Sequence, residues 1–254
     1  MIVQIYEIQT PREADAMIEL GVDHVGSVLL SEQGWKMDAL KSTIARVQSA
    51  GRKSSLIPLF GSIDIISNAI DHYHPDIIHF CETLPKTVNG GAALGELLKR
   101  QNTIRERFPG VEVMRSIPIG CSGQGDIISS LALAAVFEPL SDWFLTDTLL
   151  GNDKNVAQDQ QPVNGFVGIT GRTCDWSIAA ELVANSAIPV ILAGGIGPHN
   201  VESGIFRVKP AGIDSCTLTN AVDGQGNSKR FQKDPEKVMA LIQRAQRAEN
   251  SCKL

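Results

Sequence analysis

Two adjacent glycines follow an apolar run of the sequence at a place where a phosphate could bind. Residues 190–193 read Val-Ile-Leu-Ala, which is typical of a buried strand, and Gly194 and Gly195 come directly after them. Helical spacing resumes at residues 200–208. Backbone N–H groups between a strand end and a helix start attract anions, and glycine leaves them uncovered. We therefore predict a phosphate site at Gly194 and Gly195.

Side chains able to move protons or contact a substrate end several other apolar runs, namely Tyr6, Glu7, Cys81, Asp147, Asp214 and Cys216. Asp147 could act as an acid near neutrality if burial raised its pKa. Arg115 lies inside an apolar run, so we expect it either to contact the substrate or to pair with an aspartate. Cys81 and Cys216 are small buried hydrophobes by default, with a basic or nucleophilic thiolate as the alternative.

The elements that position these residues alternate between strand and helix along the whole chain. The predicted strands are residues 2–6, 24–30, 56–60, 76–81, 111–117, 143–146, 190–193 and 211–216. The predicted helices are residues 10–20, 38–50, 63–72, 92–108, 126–137, 175–184, 200–208 and 235–248. Eight such units without a linker predict an α/β fold, a closed (β/α)₈ TIM barrel forming a single domain over residues 1–254. An open doubly wound sheet is the alternative.

Composition restricts the classes of function. The chain has 254 residues, of which 43% are hydrophobic and 20% charged, with a formal charge of −5. These values indicate a globular protein without broad affinity for nucleic acid or membranes. No signal peptide and no apolar run of roughly 18 residues is evident, so we expect a cytoplasmic protein. The five cysteines and five histidines show no disulfide or metal-ligand spacing, and a monomer and a homodimer both remain open.

The C-terminal half contains motifs in a recognisable order. They are Phe-Leu-Thr-Asp at residues 144–147, Gly-Ile-Thr-Gly at 168–171 with Asp-Trp at 175–176, Ile-Leu-Ala-Gly-Gly-Ile at 191–196, Gly-Ile-Asp at 212–214 and Lys-Asp-Pro-Glu-Lys-Val at 233–238. With these motifs the sequence resembles the phosphoribosylanthranilate isomerase family of tryptophan biosynthesis. Residues 10–14 and 21–26 are similar to the first helix and second strand of that family.

The resemblance implies a (β/α)₈ barrel without a cofactor and a small phosphorylated substrate. It implies a phosphate site formed by the loops after strands seven and eight, where Cys216 and Thr217 join Gly194 and Gly195. It also implies an Amadori rearrangement of an N-aryl ribosylamine 5-phosphate, in which an acid opens the ring at its oxygen and a base removes the proton from C2. Asp147 matches the acid of the family.

Three departures from the family pattern affect these expectations. Tyr6 stands where the family has its cysteine base, and strand alternation directs Glu7 to the other face, so that Glu7 reaches the site only from the loop. An unperturbed tyrosine is a poor base near neutrality. The loop after strand two lacks the arginine that holds the anthranilate carboxylate in the family, and Lys36 is the nearest cation. Leu218 replaces a glycine expected near the phosphate.

The sequence therefore leaves three functions open. The first is an isomerase of this family, or a paralogue acting on a related phosphorylated sugar. The second is a barrel that keeps the phosphate-binding frame but serves as a ligand-binding or partner-binding protein. The third is another phosphate-binding barrel, such as an indole-pathway synthase or a phosphosugar epimerase. The polar loop at residues 151–164 is long enough to be a lid.

Overall fold

Eight parallel strands form a closed barrel in the computed structural model, which describes residues 1–150 and 164–252. The strands are β1 (Ile2–Ile5), β2 (His24–Leu29), β3 (Lys53–Pro58), β4 (Ile77–Phe80), β5 (Glu112–Gly120), β6 (Trp143–Leu149), β7 (Val190–Leu192) and β8 (Gly212–Ser215). Each strand pairs with the next, and β1 pairs with β8 to close the ring. The predicted TIM barrel is confirmed.

In the described part of the chain, eight α-helices follow the strands and surround the barrel. They are α1 (Pro11–Leu20), α2 (Asp38–Ser49), α3 (Ile63–Tyr73), α4 (Gly91–Arg107), α5 (Ser130–Phe137), α6 (Trp176–Asn185), α7 (Val201–Val208) and α8 (Pro235–Cys252). The sequence signals act locally as expected at α1, where Thr10 and Glu13 form a capping box and Gly21 ends the helix at φ 89°. No helix within the described ranges is long and apolar enough to cross a membrane.

Alternation along the strands separates the barrel interior from the layer beneath the helices. On β5, Met114 accepts from Gln4 and Ser116 bonds His79, so these side chains point into the barrel. Arg115, between them, contacts α4 instead. The face that each strand residue takes therefore decides whether it can reach a site at the barrel mouth.

A two-stranded antiparallel hairpin that the sequence analysis does not predict lies between β8 and α8. Its strands are β9 (Asn220–Val222) and β10 (Ser228–Lys233). The segment is mostly polar and exposed, so it lacks the apolar alternation that indicates a strand. The hairpin matters for the site because Arg230 and Lys233, on β10, extend to the ends of β1 and β8.

Candidate active site

A cavity of about 800 Å³, including its open mouth, lies at the carboxyl ends of the strands. Nine of the ten predicted site residues line it: Tyr6, Glu7, Cys81, Asp147, Gly194, Gly195, Asp214, Cys216 and Thr217. This is the end of a (β/α)₈ barrel at which enzymes of this fold carry out their chemistry. The tenth residue, Arg115, is not part of the lining.

Asp147, near the end of β6, presents its carboxyl group to the cavity. The backbone N–H of Thr148 donates to Asp147 Oδ1 at 2.8 Å. The other oxygen lies against Gly168, so closely that a Cβ at that residue would overlap it. Burial raises the pKa of Asp147 to about 7, although the Thr148 hydrogen bond opposes the shift. A carboxyl group with this pKa can donate a proton near neutrality.

Asp214, on β8, is a second carboxyl group in the same cavity. Gln4 Nε2 donates to Asp214 Oδ1 at 3.1 Å. Burial raises the pKa of Asp214 to about 7, and the charge of Asp147 adds to this effect while the Gln4 hydrogen bond opposes it. Two carboxyl groups that titrate near neutrality therefore face one cavity, which is characteristic of acid–base sites.

The glycine tip, residues 194–195, has a backbone that only glycine accommodates easily. Gly194 and Gly195 have φ values of 82° and 61°. A Cβ at Gly195 would lie 2.5 Å from the carbonyl carbon of Arg172, and one at Gly194 would overlap Thr148 Oγ1. Asn200 fixes the following turn, since its Nδ2 donates to the Gly195 carbonyl at 2.8 Å.

The amides of the glycine tip are available for a ligand. In the described part of the chain, the N–H groups of Gly194 and Gly195 donate to no backbone or side-chain acceptor. Both residues line the cavity. Adjacent amides without protein partners are the arrangement that binds phosphate oxygens in other folds.

The loop after β8 forms the adjoining wall. Thr217–Thr219 is a 3₁₀ turn, and Cys216, Thr217 and Leu218 line the cavity. Lys233 braces this turn from β10, since its Nζ donates to the Cys216 carbonyl at 2.9 Å and to Asn220 Oδ1 at 2.5 Å. Leu218 covers the glycine-rich turn below it, so that a Cβ at Gly197 would lie 2.8 Å from Leu218 Cβ. Burial raises the pKa of the Cys216 thiol, which keeps it neutral.

Tyr6 is held in a buried chain of hydrogen bonds beneath the cavity. Its hydroxyl lies 2.5 Å from Ser55 Oγ and 2.7 Å from His79 Nδ1, and His79 Nε2 lies 2.8 Å from Ser116 Oγ. Burial raises the pKa of Tyr6 well above its ordinary value and lowers the pKa of His79 to about 3. Both groups are therefore neutral near pH 7, and Tyr6 is less suited to act as a base than an exposed tyrosine.

Glu7 lines the cavity from the first turn after β1 with a left-handed backbone, at φ 66°. Arg230 Nε donates to Glu7 Oε1 at 2.7 Å, and the side chain is fully buried. A left-handed conformation costs a non-glycine residue roughly 1–2 kcal/mol. This conformation places Glu7 among the residues that line the cavity.

Cys81 and Arg115 lie on opposite sides of the barrel wall. Cys81 is buried at the cavity, and burial raises the pKa of its thiol well above the ordinary value. Arg115 Nη1 donates to Glu82 Oε2 at 2.8 Å and its Nε donates to Gln101 Oε1 at 2.7 Å. The predicted substrate contact of Arg115 is therefore wrong on this geometry, because its side chain points away from the barrel interior. Its acidic partner is a glutamate and not the expected aspartate.

A segment that the site prediction omits crosses the mouth of the barrel. This segment, residues 164–174, is called the strap below. The N–H of Thr83 donates to the Gly165 carbonyl and the N–H of Val167 donates to the Cys81 carbonyl, both at 2.8 Å. Its cavity-lining residues are Phe166, Val167, Gly168, Ile169, Thr170 and Gly171. The Gly-Ile-Thr-Gly motif at residues 168–171 was the available signal, and close packing at Gly168 explains it.

Most of the proposed lid loop, residues 151–163, lies outside the described residues. Within residues 1–150 and 164–252, no group of three or more His, Cys, Asp or Glu side chains is placed to hold a metal ion.

Comparison with known proteins agrees with the sequence motifs. The sequence pattern of the N-(5'phosphoribosyl)anthranilate (PRA) isomerase family matches residues 147–244. An N-(5'-phosphoribosyl)anthranilate isomerase 2 from Methanosarcina mazei is 35% identical over 144 residues, which cover 56% of this chain and 53% of that protein. The chain thus spans about half the length of this relative. A Synechococcus N-(5'-phosphoribosyl)anthranilate isomerase is 26% identical over 245 residues, 94% of each chain.

The fold comparison covers nearly the whole chain. The structure of N-(5'-phosphoribosyl)anthranilate isomerase from Pyrococcus furiosus superimposes with a TM-score of 0.65 at 21% identity, over 97% of this chain and 99% of that chain. The fold and the cavity define a (β/α)₈ barrel with two carboxyl groups at its catalytic end. The family pattern over residues 147–244 and the relatives specify it further: this part of the chain is similar to proteins of the phosphoribosylanthranilate isomerase family.

Proposed function

We propose that the protein binds a phosphorylated ribose derivative and isomerises it by an Amadori rearrangement, with Asp147 as the general acid. The phosphate is held by the amides of Gly194 and Gly195 and by the turn at Cys216 and Thr217. The ribose ring then extends across the cavity towards Asp147. Similarity to these relatives supports this class of ligand, because they are named as isomerases of a phosphoribosyl compound.

One contact carries the proposal. Thr148 donates its backbone N–H to Asp147, and a Cβ at Gly194 would overlap its hydroxyl oxygen. Thr148 therefore joins the acid to the glycine tip, so that both adjoin the same ligand space. An acid and an anion-binding tip that are linked through one residue suit the ring oxygen and the 5-phosphate of one ribose unit.

The rearrangement needs one acid and one base. Asp147 gives a proton to the furanose ring oxygen as the bond from that oxygen to C1 breaks, and the nitrogen lone pair forms the C1–N double bond. The base then removes the proton from C2, which yields an enaminol. A proton returns to C1 and the C2 hydroxyl becomes a ketone, so the sequence is an isomerisation without a redox partner or cofactor.

Glu7 is the base that this geometry favours. Glu7 lines the cavity and its carboxylate is oriented by Arg230, whereas the neutral Tyr6 hydroxyl is hydrogen-bonded to Ser55 and His79. A strained backbone at a cavity-lining carboxylate agrees with a functional constraint at that position. Cys81 and Cys216, whose thiols are kept neutral by burial, are weaker candidates.

Turnover and binding measurements test this proposal together. Purified protein is mixed with ribose 5-phosphate and with N-aryl ribosylamine 5-phosphates, and the aminoketose product is followed by fluorescence or by mass spectrometry. We expect Asp147→Asn and Glu7→Gln each to lower kcat by at least about 100-fold, while affinity for ribose 5-phosphate stays within a few fold. If the native protein neither turns over these compounds nor binds ribose 5-phosphate at millimolar concentration, the proposal is wrong.

A binding protein without isomerase activity is the second candidate. The buried hydrogen bonds of Tyr6 favour it, because they place a neutral side chain where the family has its base. Ribose 5-phosphate binding without turnover of any N-aryl derivative would establish this function. Gain of turnover in Tyr6→Cys would then show that the rest of the catalytic frame is retained.

A further inference from the structure

The wall of the cavity opposite the glycine tip is apolar. The tip follows β7, and β3 lies four strands away in the eight-stranded ring, directly across the barrel. Ile57 and Leu59 line the cavity from the end of β3 and Val28 lines it from β2. All three belong to one buried hydrophobic cluster. A ligand anchored by its phosphate at the tip therefore extends its other end towards this apolar wall.

Phe166, on the strap, packs against the same hydrophobic cluster. It is half-buried, lines the cavity and packs against the cluster that contains Val28, Ile57 and Leu59. The backbone of Phe166 is fixed by its antiparallel bridge with Glu82. An aromatic ring held at the edge of an apolar wall offers a surface against which a flat apolar group can stack.

The charged side chains that line the cavity, within the described ranges, are the carboxyl groups of Glu7, Asp147 and Asp214. In the loop after β2, Glu32 is directed elsewhere, because its Oε1 accepts from the Ser62 N–H at 3.2 Å. Lys36 is exposed and is not part of the lining. A second anionic group on a ligand would therefore meet apolar side chains and carboxyl groups instead of a lining cation.

We propose that the amine-derived group of the substrate is an uncharged apolar ring, seated between Phe166 and the wall formed by Val28, Ile57 and Leu59. The inference rests on the proposed function, because it takes the phosphate position and the ribose orientation from it. It assigns the protein to ribosylamine 5-phosphates that lack a carboxylate on the ring. The family resemblance alone would predict a carboxylated ring.

A pair of stable ligands that differ by one carboxylate tests the inference. The probes are 1-anilino-1-deoxyribulose 5-phosphate and its 2-carboxyphenyl counterpart, and affinities are measured by calorimetry on the full chain at pH 7.5. We expect the anilino compound to bind at least about tenfold more tightly, because a carboxylate without a partner is costly to desolvate. Equal or tighter binding of the carboxylated compound overturns the inference and leaves the proposed function standing.

Binding of ribose 5-phosphate distinguishes failure of the inference from failure of the proposed function, since this compound carries the phosphate and the sugar without the aromatic ring. If ribose 5-phosphate and both probes fail to bind, the proposed function fails and the inference falls with it. If ribose 5-phosphate binds and the anilino group adds no affinity to it, the apolar ring site is wrong while the phosphate site stands.

A matched pair of variants on the strap sharpens the result. Phe166→Arg introduces a cation at the proposed ring site, and Phe166→Met keeps it apolar. We expect Phe166→Arg to shift the affinity ratio of the two probes by at least about tenfold towards the carboxylated one, whereas Phe166→Met leaves the ratio unchanged. An unchanged ratio in both variants, with melting temperatures near that of the native protein, places the ring elsewhere and overturns the inference.

Discussion

The Cα of Gly168 lies so close to the carboxyl group of Asp147 that a Cβ at residue 168 would overlap Oδ2. Gly168 also has a φ of 109°, a conformation that other residues rarely adopt. The strap therefore covers the proposed acid directly with backbone and shields it from water, which contributes to the burial that raises the pKa of Asp147 to about 7.

Gly168→Ala is expected to displace the strap from Asp147. The overlap and the positive φ together should lower the free energy of unfolding by about 2 kcal/mol, measured by urea denaturation. The proposed activity should fall as well. Gly165→Ala is the matched control, because Gly165 has a φ of 88° with nothing within 4 Å of its Cβ position. A loss in the control as large as that of Gly168→Ala would refute the role of the contact.

The two cavity aspartates should make stability depend on pH. An aspartate in the unfolded chain titrates near pH 4, whereas Asp147 and Asp214 titrate near 7 in the folded protein. Between these values the folded protein holds protons that the unfolded chain has released. The free energy of unfolding should therefore fall as the pH rises from about 4 to about 7, by on the order of 3 kcal/mol for each group.

Asparagine variants isolate this dependence. Asp147→Asn and Asp214→Asn should each reduce the slope of unfolding free energy against pH in that window, measured by urea denaturation at pH 4.5, 6 and 7.5. Asp234→Asn serves as a control, since Asp234 lies at the start of α8, outside the cavity lining. Slopes identical to that of the native protein in both cavity variants would contradict the raised pKa values.

Tyr6→Phe should lower stability more than catalysis. The change removes the hydroxyl that bonds Ser55 and His79, and leaves two buried polar atoms with one partner fewer. We expect a loss of about 1–3 kcal/mol in unfolding free energy, with kcat within a few fold of the native value. A kcat lowered by about 100-fold or more in folded Tyr6→Phe would instead identify Tyr6 as a proton-transfer group.

Arg115→Met should destabilise the protein without weakening ligand binding. Arg115 is 1% exposed and neutralises Glu82 between the rings of Phe80 and Phe137. Its removal leaves the buried Glu82 paired only with Arg100, and we expect a loss of about 3 kcal/mol or more. Arg100→Met, at the more exposed partner, should cost about 1 kcal/mol. Ribose 5-phosphate affinity, measured by calorimetry at low temperature, should be unchanged in both.

The barrel could be predicted because each strand is a short apolar run that is followed by a helix. The observed ends of the strands differ from the predicted ends by a few residues. Asp147 and Gly194 were identifiable because strand ends converge at one face of a barrel. The sequence did not show whether Arg115 faces the barrel interior or the surrounding helices, because β5 is apolar on both faces. The resemblance, in which residue 6 corresponds to the base of the family, likewise could not show that the Tyr6 hydroxyl is hydrogen-bonded to His79.

Two parts of the site were not assigned from the sequence, for physical reasons. The hairpin that carries Arg230 is polar and short, so no alternation marks it, and its pairing with Glu7 joins residues 223 positions apart. The strap is defined by backbone hydrogen bonds to Cys81 and Thr83, which any sequence can make. Within the strap, only Gly168 and Gly171 indicate, by their lack of a side chain, that other groups lie close to the backbone.

The pairing of β1 with β8 has a consequence for how the protein folds. Glu7 follows the first strand of the barrel and Arg230 lies beyond the last, while the acid and the glycine tip come from β6 and β7. The ligand space is therefore complete only after the two ends of the sheet have joined. A ribose 5-phosphate analogue would stabilise the closed ring alone, and its binding would report the population of fully closed barrels during refolding.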